Sequence, residues 1–388
     1  MAYPLEGLRV LDLSRVVAGP FAGRMLSDLG ADVVKVEAPE GDVSQVWGEQ
    51  RHGLSGFYTQ QNAGKRNICV DLKQTGGPDV VARLAAVADV VIENFRPGVM
   101  DRLGLGWDRL SAVQPRLVML SITGFGQDGP ESHRQAYAPV IHAESGLIAR
   151  HADFDEAFPR DPMLSVADYD AALHGLVAVL SALYLRERTG TGQHIDIAML
   201  DSMLATDDYA HHLLDGSPLK RLGGEVWPAT GGPILVAGVF SHTWRSVRQI
   251  HGLDDPAPPD ATLEKKIMLR RAAFGTWLAA FVDRRKAQAA LDGAGLAWAD
   301  VRPATEAFSS PAVLARNMVA EVDDRGGGLR RVVQSPYRFS AAQAGLRAPA
   351  AFRGEHNAAV LSEWAGFDGI EIAELQRAGV LRAETVNQ

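Results

Sequence analysis

Hydrophobic and polar positions in the first 125 residues follow two alternating patterns. Short apolar runs of strand length lie at residues 8–13, 32–37, 68–72, 89–94 and 117–122. Between them, apolar side chains recur at helical spacing in residues 21–29, 80–87 and 98–113. Strands that alternate with helices indicate a mostly parallel sheet with helices on both faces. The pattern therefore predicts an α/β fold whose ligands bind beyond the carboxyl ends of the strands.

A second apolar pattern predicts a long helix over residues 173–185, followed by a strand at 194–199. Asp168 stands just ahead of this helix. An aspartate in that position commonly caps a helix, because its side chain accepts a hydrogen bond from a free backbone N–H. The local pattern alone therefore predicts that Asp168 is an N-cap.

A change of composition suggests a domain boundary, since residues 209–230 are polar and rich in glycine and proline. A strand at 233–237 and helices within 263–291 then predict a smaller α/β domain, and two further helices are predicted around Val360 and Ile372. The predicted organisation is a large domain starting with residues 1–205, a linker at 206–225, the small domain at 226–325 and a return to the large domain at 326–388.

Charge and cysteine content limit the functional classes. A net charge of −8 over 388 residues argues against non-specific binding to nucleic acid or to an anionic membrane. Neither a signal peptide nor an 18-residue apolar span is evident, which predicts a cytoplasmic protein. Cys69 is the one cysteine, so no intramolecular disulfide forms, and its apolar surroundings predict a thiol in a strand core.

Several local motifs have an ordinary structural explanation. The sequence GFGQDG at residues 124–129 matches a dinucleotide-binding pattern, but Pro130 follows at once and no helix begins there, so we predict a loop. His142 and Glu144 lie in an apolar stretch and are predicted to be buried and hydrogen-bonded. We predict no metal site, because the neighbouring His211 and His212 are expected to point to different helix faces.

Three segments near predicted strand ends suit an anionic ligand. Residues 14–20 combine small side chains with a helix start, which favours anions but also fits a plain turn before Pro20. Residues 62–67 and 93–98 offer cations and amides beside glycine, as phosphate sites and solvated loops both do.

Five stretches occur in the order found in one known family. They are residues 5–12 with 18–20, residues 30–37, 65–72 and 93–98, and the block 168–199. Residues 354–357 also fit. The chain resembles the class III CoA-transferases, the family of formyl-CoA transferase and carnitine CoA-transferase, and the match is thinnest from about 220 to 310. The resemblance implies a Rossmann-like large domain, an inserted smaller α/β domain and an interlocked homodimer.

The resemblance also implies site residues. Asp168 falls on the family's catalytic aspartate, which attacks an acyl-CoA thioester and passes through an anhydride and an aspartyl-CoA thioester. Asp170 is an alternative nucleophile. CoA is thus a substrate, and no tightly bound cofactor is implied. Positions matched to CoA binding, with two nearby cations, are Val16, Val17, Leu72, Asn94, Phe95 and Arg102, with Arg66 and Lys73. Arg102 also fits an exposed helix residue paired with an acid.

Departures from the family pattern bear on the substrate. Ala171 and Ala172 stand where the family often has glycine, and the glycine-rich loop is shortened to Gly223 and Gly224, which weakens a role in oxalate chemistry. Gly223 and Gly224 are also candidate oxyanion donors. Candidate substrate-binding residues besides these are Tyr137, His142, Arg150 and Arg134. We expect CoA transfer, from succinyl-CoA or another dicarboxylyl-CoA, to a C4–C5 dicarboxylate, or between two carboxyls of one such acid.

Two other functions are considered. A racemase branch of the family moves the α-proton of a 2-methylacyl-CoA with a histidine, an aspartate and a glutamate. Its histidine position is Tyr137 here, and residues 238–241 contain no acid, so we predict no racemisation. A non-catalytic CoA-binding paralogue is the other alternative, and the presence of Asp168 argues against it.

Overall fold

The computed structural model describes residues 1–217 and 223–384. Its strands are β1 Arg9–Asp12, β2 Asp32–Glu37, β3 Gln50–Arg51, β4 Leu54–Ser55, β5 Arg66–Cys69, β6 Val90–Glu93, β7 Val118–Thr123, β8 Gln193–Ala198, β9 Gly224–Trp227, β10 Ile234–Ala237, β11 Trp298–Asp300, β12 Val319–Asp323 and β13 Leu329–Val333. Its helices are α1 Ala18–Asp28, α2 Gly56–Asn62, α3 Gly77–Ala85, α4 Val99–Arg102, α5 Trp107–Val113, α6 Ala138–Glu144, α7 Leu147–Asp155, α8 Val166–Thr189, α9 Met199–Ala205, α10 Ala210–Leu214, α11 Phe240–His251, α12 Leu263–Ala279, α13 Arg284–Gly293, α14 Ala304–Ala307, α15 Pro311–Ala315, α16 Asn357–Ala365 and α17 Gly369–Arg377.

The central sheet has six parallel strands in the order β5-β2-β1-β6-β7-β8. Val10 of β1 pairs with Val33 of β2 on one side and with Val90 of β6 on the other. The strands are almost continuously apolar because helices cover both faces. The predicted α/β class and parallel sheet are confirmed. The strand order reverses between β1 and β6, which is where open α/β sheets bind their ligands.

Alternate strand residues feed two hydrophobic cores, one on each face of the sheet. One core includes Leu11, Val91 and Trp364, so the chain's last helices return to the sheet. The other core includes Val10, Ile92 and the small residue Ala171 from α8. Burying each large aliphatic side chain stabilises the fold by about 1.5–3 kcal/mol.

The chain divides into two units, one of residues 1–210 with 315–388 and one of residues 211–314. The first contains the six-stranded sheet. The second packs the antiparallel sheet β11-β10-β9 with α11, α12 and α13. The small domain was predicted at 226–325, and the second unit spans residues 211–314, with the β12–β13 hairpin in the first unit. The predicted linker at 206–225 contains α10.

The helix α8 is longer than predicted and corrects two expectations. It begins at Val166 with Ser165 at its N-cap, so Asp168 lies inside the first turn and is not the cap. By length and composition α8 could also cross a membrane, with a window of mean hydropathy 1.3, although no such span was expected. One face packs on the sheet, where a Cβ at Gly175 would lie 3.0 Å from Leu120. Core helices of soluble proteins have the same composition.

Candidate active site

The turns after β1, β6 and β7 surround a cleft of about 270 Å³, which we call the reaction cleft. Its lining residues are Arg15, Val16, Ala18, Val43, Asn94, Phe95, Arg96, Pro97, Ile122, Thr123, Gly124, Ser132, Arg134, Gln135, Ala136, Tyr137, Asp168 and Met199. Among these described lining residues, Asp168 is the one carboxylate. Asp170 does not line the cleft and accepts a hydrogen bond from the Thr206 hydroxyl at 2.9 Å.

Two helix N-termini face the Asp168 carboxylate. The backbone N–H groups of Ala18 and Ala138, the first residues of α1 and α6, interact with it and favour its ionised form. Burial raises the pKa of Asp168 to about 6, and these N–H groups and His142 oppose the increase. The positive ends of helix dipoles favour an anion at this position. At neutral pH the carboxylate is therefore mainly ionised, yet more basic than an ordinary aspartate.

His142 is fully buried behind the cleft, as predicted for a satisfied polar residue. Its Nε2 accepts a hydrogen bond from the Ala167 N–H at 3.2 Å, so Nδ1 carries the hydrogen and donates it to Asp161 at 2.7 Å. Both ring nitrogens are thus occupied, and His142 does not line the cleft as a substrate-binding residue would. Glu144, which was also expected to be buried, is exposed and pairs with Arg134.

The other candidate substrate residues have different locations. Arg150 forms an ion pair with Asp207 at 2.7 Å and lies outside the reaction cleft. Tyr137 lines the cleft and is largely exposed. Gly223 and Gly224 belong to the second unit, where Gly224 begins β9.

The turn after β1 has a strained backbone. Val16 has a φ of 71°, a left-handed conformation that is rare for a β-branched residue. Asn94 bonds to the preceding residue twice: its Oδ1 accepts from the Arg15 N–H and its Nδ2 donates to the Arg15 carbonyl, both at 2.8 Å. Val17, expected at the CoA site, is buried at the start of α1.

A second cleft, of about 430 Å³, lies beside the ends of β1, β2, β5 and β6, and we call it the outer cleft. It shares Arg15, Phe95 and Arg96 with the reaction cleft, so the two are contiguous. Leu72 and Lys73 line it, as expected for CoA-binding residues, and Lys73 pairs with the exposed Glu40 at 3.1 Å.

Arg66 and Arg102 line neither cleft. Arg66 is the first residue of β5 and therefore lies at the amino ends of the parallel strands, whereas both clefts lie at the carboxyl ends. Its guanidinium pairs with Asp32 at 2.5 Å and with Glu363 at 2.6 Å. Arg102 is exposed at the end of α4. The structure therefore does not bring Arg66, predicted to meet CoA phosphates, to either cleft.

The family model described as CoA-transferase family III matches residues 5–357. This chain belongs to CoA-transferase family III. It is accordingly an enzyme of the CoA-transferase class, and the predicted family is confirmed.

Named relatives support this class III assignment. The chain is 34% identical to a succinate–glutarate CoA-transferase of Agrobacterium fabrum, over 93% of this chain and 95% of the relative. It is 32% identical to the succinyl-CoA:glutarate CoA-transferase of Homo sapiens, over 97% of this chain and 90% of the relative. A CAIB/BAIF family protein from Brucella suis superimposes with a TM-score of 0.79 at 32% identity, covering 94% of this chain and all of that one.

Three lining residues of this CoA-transferase were missed as site residues from the sequence. Arg15, Arg96 and Thr123 each stand at or just after the carboxyl end of a strand in the central sheet, and that position was the available signal. Thr123 is nearly buried, and its hydroxyl has no hydrogen-bond partner within residues 1–217 and 223–384. The loop that follows is as predicted, and a Cβ at Gly124 would lie only 2.2 Å from that of Ala136.

A buried polar cluster supports the turn after β6. The Glu93 carboxylate accepts the Phe95 N–H at 2.8 Å, and Ser121 and His194 lie beyond it, joined by a 3.0 Å contact. Burial raises the pKa of Glu93 to about 7, while hydrogen bonds from Ser121 and the Phe95 N–H lower it. Proton binding near neutral pH is thus linked to the turn that lines both clefts.

No group of three metal-binding side chains occurs in the described part of the chain. The prediction that His211 and His212 point to different helix faces is nevertheless wrong, because their ring centroids are only 4.1 Å apart. Cys69 is a buried strand thiol, and burial raises its pKa to about 11, so it stays protonated.

Proposed function

We propose that this CoA-transferase moves CoA from succinyl-CoA to a C4–C5 dicarboxylate, with glutarate as the first candidate, through covalent intermediates on Asp168. The observation that carries the proposal is a single lining carboxylate held beneath two helix N-termini. The names of the bacterial and human relatives support a dicarboxylate as the acid.

In the first half of the reaction, an Asp168 oxygen attacks the thioester carbonyl, the C–S bond breaks and CoA leaves as the thiolate. The thiolate then attacks the Asp168 carbonyl of the mixed anhydride, releasing the first acid as a carboxylate and leaving an aspartyl-CoA thioester. The incoming carboxylate attacks that thioester, and the released thiolate finally attacks the new acyl carbonyl. This step restores the free Asp168 carboxylate. No net proton transfer is needed.

The backbone around Asp168 suits this chemistry. The N–H groups of Ala18 and Ala138 favour the ionised carboxylate. They are also in place to stabilise the negative charge that develops on oxygen when the thiolate attacks the Asp168 carbonyl. A cleft of about 270 Å³ is large enough for a C4–C5 acyl group. Exclusion of water matters because both covalent intermediates hydrolyse.

Two arginines are available for the second carboxylate of the acid or for CoA phosphates. Arg15 and Arg96 line both clefts, and neither forms an ion pair with any residue in the ranges 1–217 and 223–384. Arg134 also lines the reaction cleft but already pairs with Glu131 and Glu144. We assign the distal carboxylate to Arg96 and Arg15, since charge-assisted bonds from a guanidinium suit carboxylates.

The racemase alternative lacks a second proton-transfer residue. No histidine occurs among the described residues that line the reaction cleft, and Tyr137 stands at its wall. A single carboxylate can remove an α-proton but cannot return it from the opposite face. We therefore retain the prediction that the enzyme does not racemise a 2-methylacyl-CoA, and α-proton exchange with deuterated solvent that is accompanied by inversion would refute it.

A CoA-exchange screen read by mass spectrometry tests the proposed function. Purified enzyme is mixed with succinyl-CoA and, in turn, glutarate, citramalate, itaconate, mesaconate, malate and acetate, in parallel with D168A and D170A. We expect glutaryl-CoA or another dicarboxylyl-CoA from the wild type and D170A, and none from D168A. Exchange that survives in D168A would refute the nucleophile, and transfer to acetate alone would refute the dicarboxylate.

We also propose that the enzyme is a cytoplasmic homodimer. Four exposed apolar residues, Leu173, Val177, Leu180 and Tyr184, lie along one face of α8 at helical spacing. A second copy of the chain would bury this face. Light scattering in detergent-free buffer should give twice the mass of one chain, and V177E should shift it toward one. A monomeric wild type, or a protein recovered only with membranes, would contradict this.

A further inference from the structure

The strained turn between β1 and α1 is fixed by side chains from two other segments. Asn94 forms both of its bonds to the backbone of Arg15, on one side of Val16. The Asp42 carboxylate accepts the Val16 N–H at 3.1 Å, and Lys35 donates to the Ser14 carbonyl at 2.9 Å, so the restraints together hold residues 14–16. Strained backbone persists where the surroundings over-determine it, as they do here.

The backbone conformation of the strained turn sets the direction of the first turn of α1, and therefore the position of the Ala18 N–H relative to Asp168. Val16 precedes the N-cap Val17, whose φ of −124° and ψ of −71° are also unusual, and α1 then begins with Ala18. Ala18 and Asp168 line the same reaction cleft, and the Ala18 N–H interacts with the Asp168 carboxylate. If Val16 relaxed to a negative φ, the first turn of α1 would turn away from the carboxylate.

We propose that Asn94 is a positioning residue, which holds Val16 in its left-handed conformation and thereby keeps the Ala18 N–H on the nucleophile, rather than a direct ligand of CoA. Its amide oxygen and nitrogen both face Arg15 across the reversal of the sheet, 79 residues away in sequence. This inference rests on the proposed function, because it takes Asp168 as the nucleophile.

A double-mutant cycle between Asn94 and Val16 tests the proposal. Glycine adopts a positive φ at no steric cost, so V16G makes the turn less dependent on its restraints. We expect N94A to lower kcat about tenfold or more in the wild-type background and less than about threefold in the V16G background, since small misplacements of catalytic groups are costly. An equal loss in both backgrounds, or no loss from N94A, would overturn the proposal.

Two further readouts separate positioning from direct binding. If Asn94 bound CoA directly, its removal would raise the KM for CoA thioesters and leave kcat unchanged. If Asn94 is a positioning residue, its removal lowers kcat. The acidic limb of the rate profile should also move to higher pH in N94A, because the Ala18 N–H bond lowers the pKa of Asp168. His142 and the Ala138 N–H, which face the same carboxylate from other elements, are unchanged in N94A.

Asn357 provides a matched control. Its Oδ1 accepts the Cys69 N–H at 2.9 Å and its Nδ2 donates to the Arg382 carbonyl at 2.8 Å, the same pair of backbone bonds made far from Val16 in sequence. N357A should lower Tm without any dependence on V16G. If D168A retains exchange, the proposed function fails. If D168A is inactive but the cycle shows no coupling, only the role of Asn94 fails.

Discussion

The amino ends and the carboxyl ends of the strands in the central sheet, which we call the amino edge and the carboxyl edge, use the same residue types in opposite ways. At the amino ends of the strands, Arg66 pairs with Asp32 and Glu363, and Arg186 pairs with Asp89. At the carboxyl ends, Arg15 and Arg96 line open clefts without an ion pair in the described chain. One edge neutralises its charges internally and stabilises the fold. The other leaves cations and a basic carboxylate available to a ligand, at the cost of a strained turn.

Substitution of the two carboxylates should give the largest difference between the edges. Asp168 at the cleft and Asp89 at the amino edge both accept hydrogen bonds, the latter from the Arg9 N–H and from Arg186. We expect D168A to reduce CoA exchange by on the order of 10³-fold or more, since it removes the covalent route. D89A should lower the free energy of unfolding by about 1–3 kcal/mol with exchange retained. Exchange rates and urea unfolding of both variants measure this.

The arginines give the next largest contrast. R96A should raise the KM of the dicarboxylate or of CoA about ten- to hundredfold, because a charge-assisted hydrogen bond contributes about 1.5–3 kcal/mol. R66A should leave both KM values unchanged and reduce stability by roughly 1 kcal/mol, as expected for partly exposed ion pairs. Steady-state kinetics with each substrate varied in turn decides between them. A KM effect from R66A would mean that the amino edge also binds ligand.

The raised pKa of Asp168 should set the pH dependence of kcat/KM and of stability. Its pKa is raised from 3.8 to about 6, so kcat/KM should fall about tenfold per pH unit below pH 6. The folded state binds this proton more tightly than the unfolded state, so the ionised group lowers stability as pH rises from about 4 to 6. D168N should therefore be more stable than the wild type at pH 7, by on the order of 1 kcal/mol. Below pH 4 we expect D168N and the wild type to have equal free energies of unfolding, because Asp168 is then protonated in the folded and unfolded states.

The smallest effect is expected at Glu93. Its pKa of about 7 makes the charge under the Phe95 turn vary between pH 6 and 8. Ser121, Asp196 and Asp101 are the polar and charged groups that act on it. E93Q retains an oxygen acceptor for the Phe95 N–H, so we expect CoA affinity to change by less than about threefold and to lose its pH dependence in this range. Calorimetric titration with CoA at pH 6, 7 and 8 measures this.

Much of this organisation could be predicted from the sequence, because strand periodicity depends on local alternation of apolar residues. Five of the six strands of the sheet fall within about one residue of where the pattern placed them, and β2 has the predicted bounds, whereas β5 begins two residues before the predicted strand at 68–72. Asp168 came from the family resemblance, since its local pattern pointed to a helix cap. The hydrogen bonds between Asn94 and Arg15 could not be predicted, because the two residues lie 79 apart in sequence and only the fold joins them. Arg66 lies away from the clefts because β5 begins at this residue rather than at the predicted position 68.

The most direct test of the central claim is to trap the covalent enzyme. Wild-type protein is mixed with succinyl-CoA without an acceptor acid, quenched in acid and digested, and the peptide that contains Asp168 is analysed by mass spectrometry. We expect a CoA thioester on Asp168, which is lost on addition of glutarate before the quench and absent in D168A. Exchange activity with no adduct on this peptide, or an adduct on another residue, would contradict it.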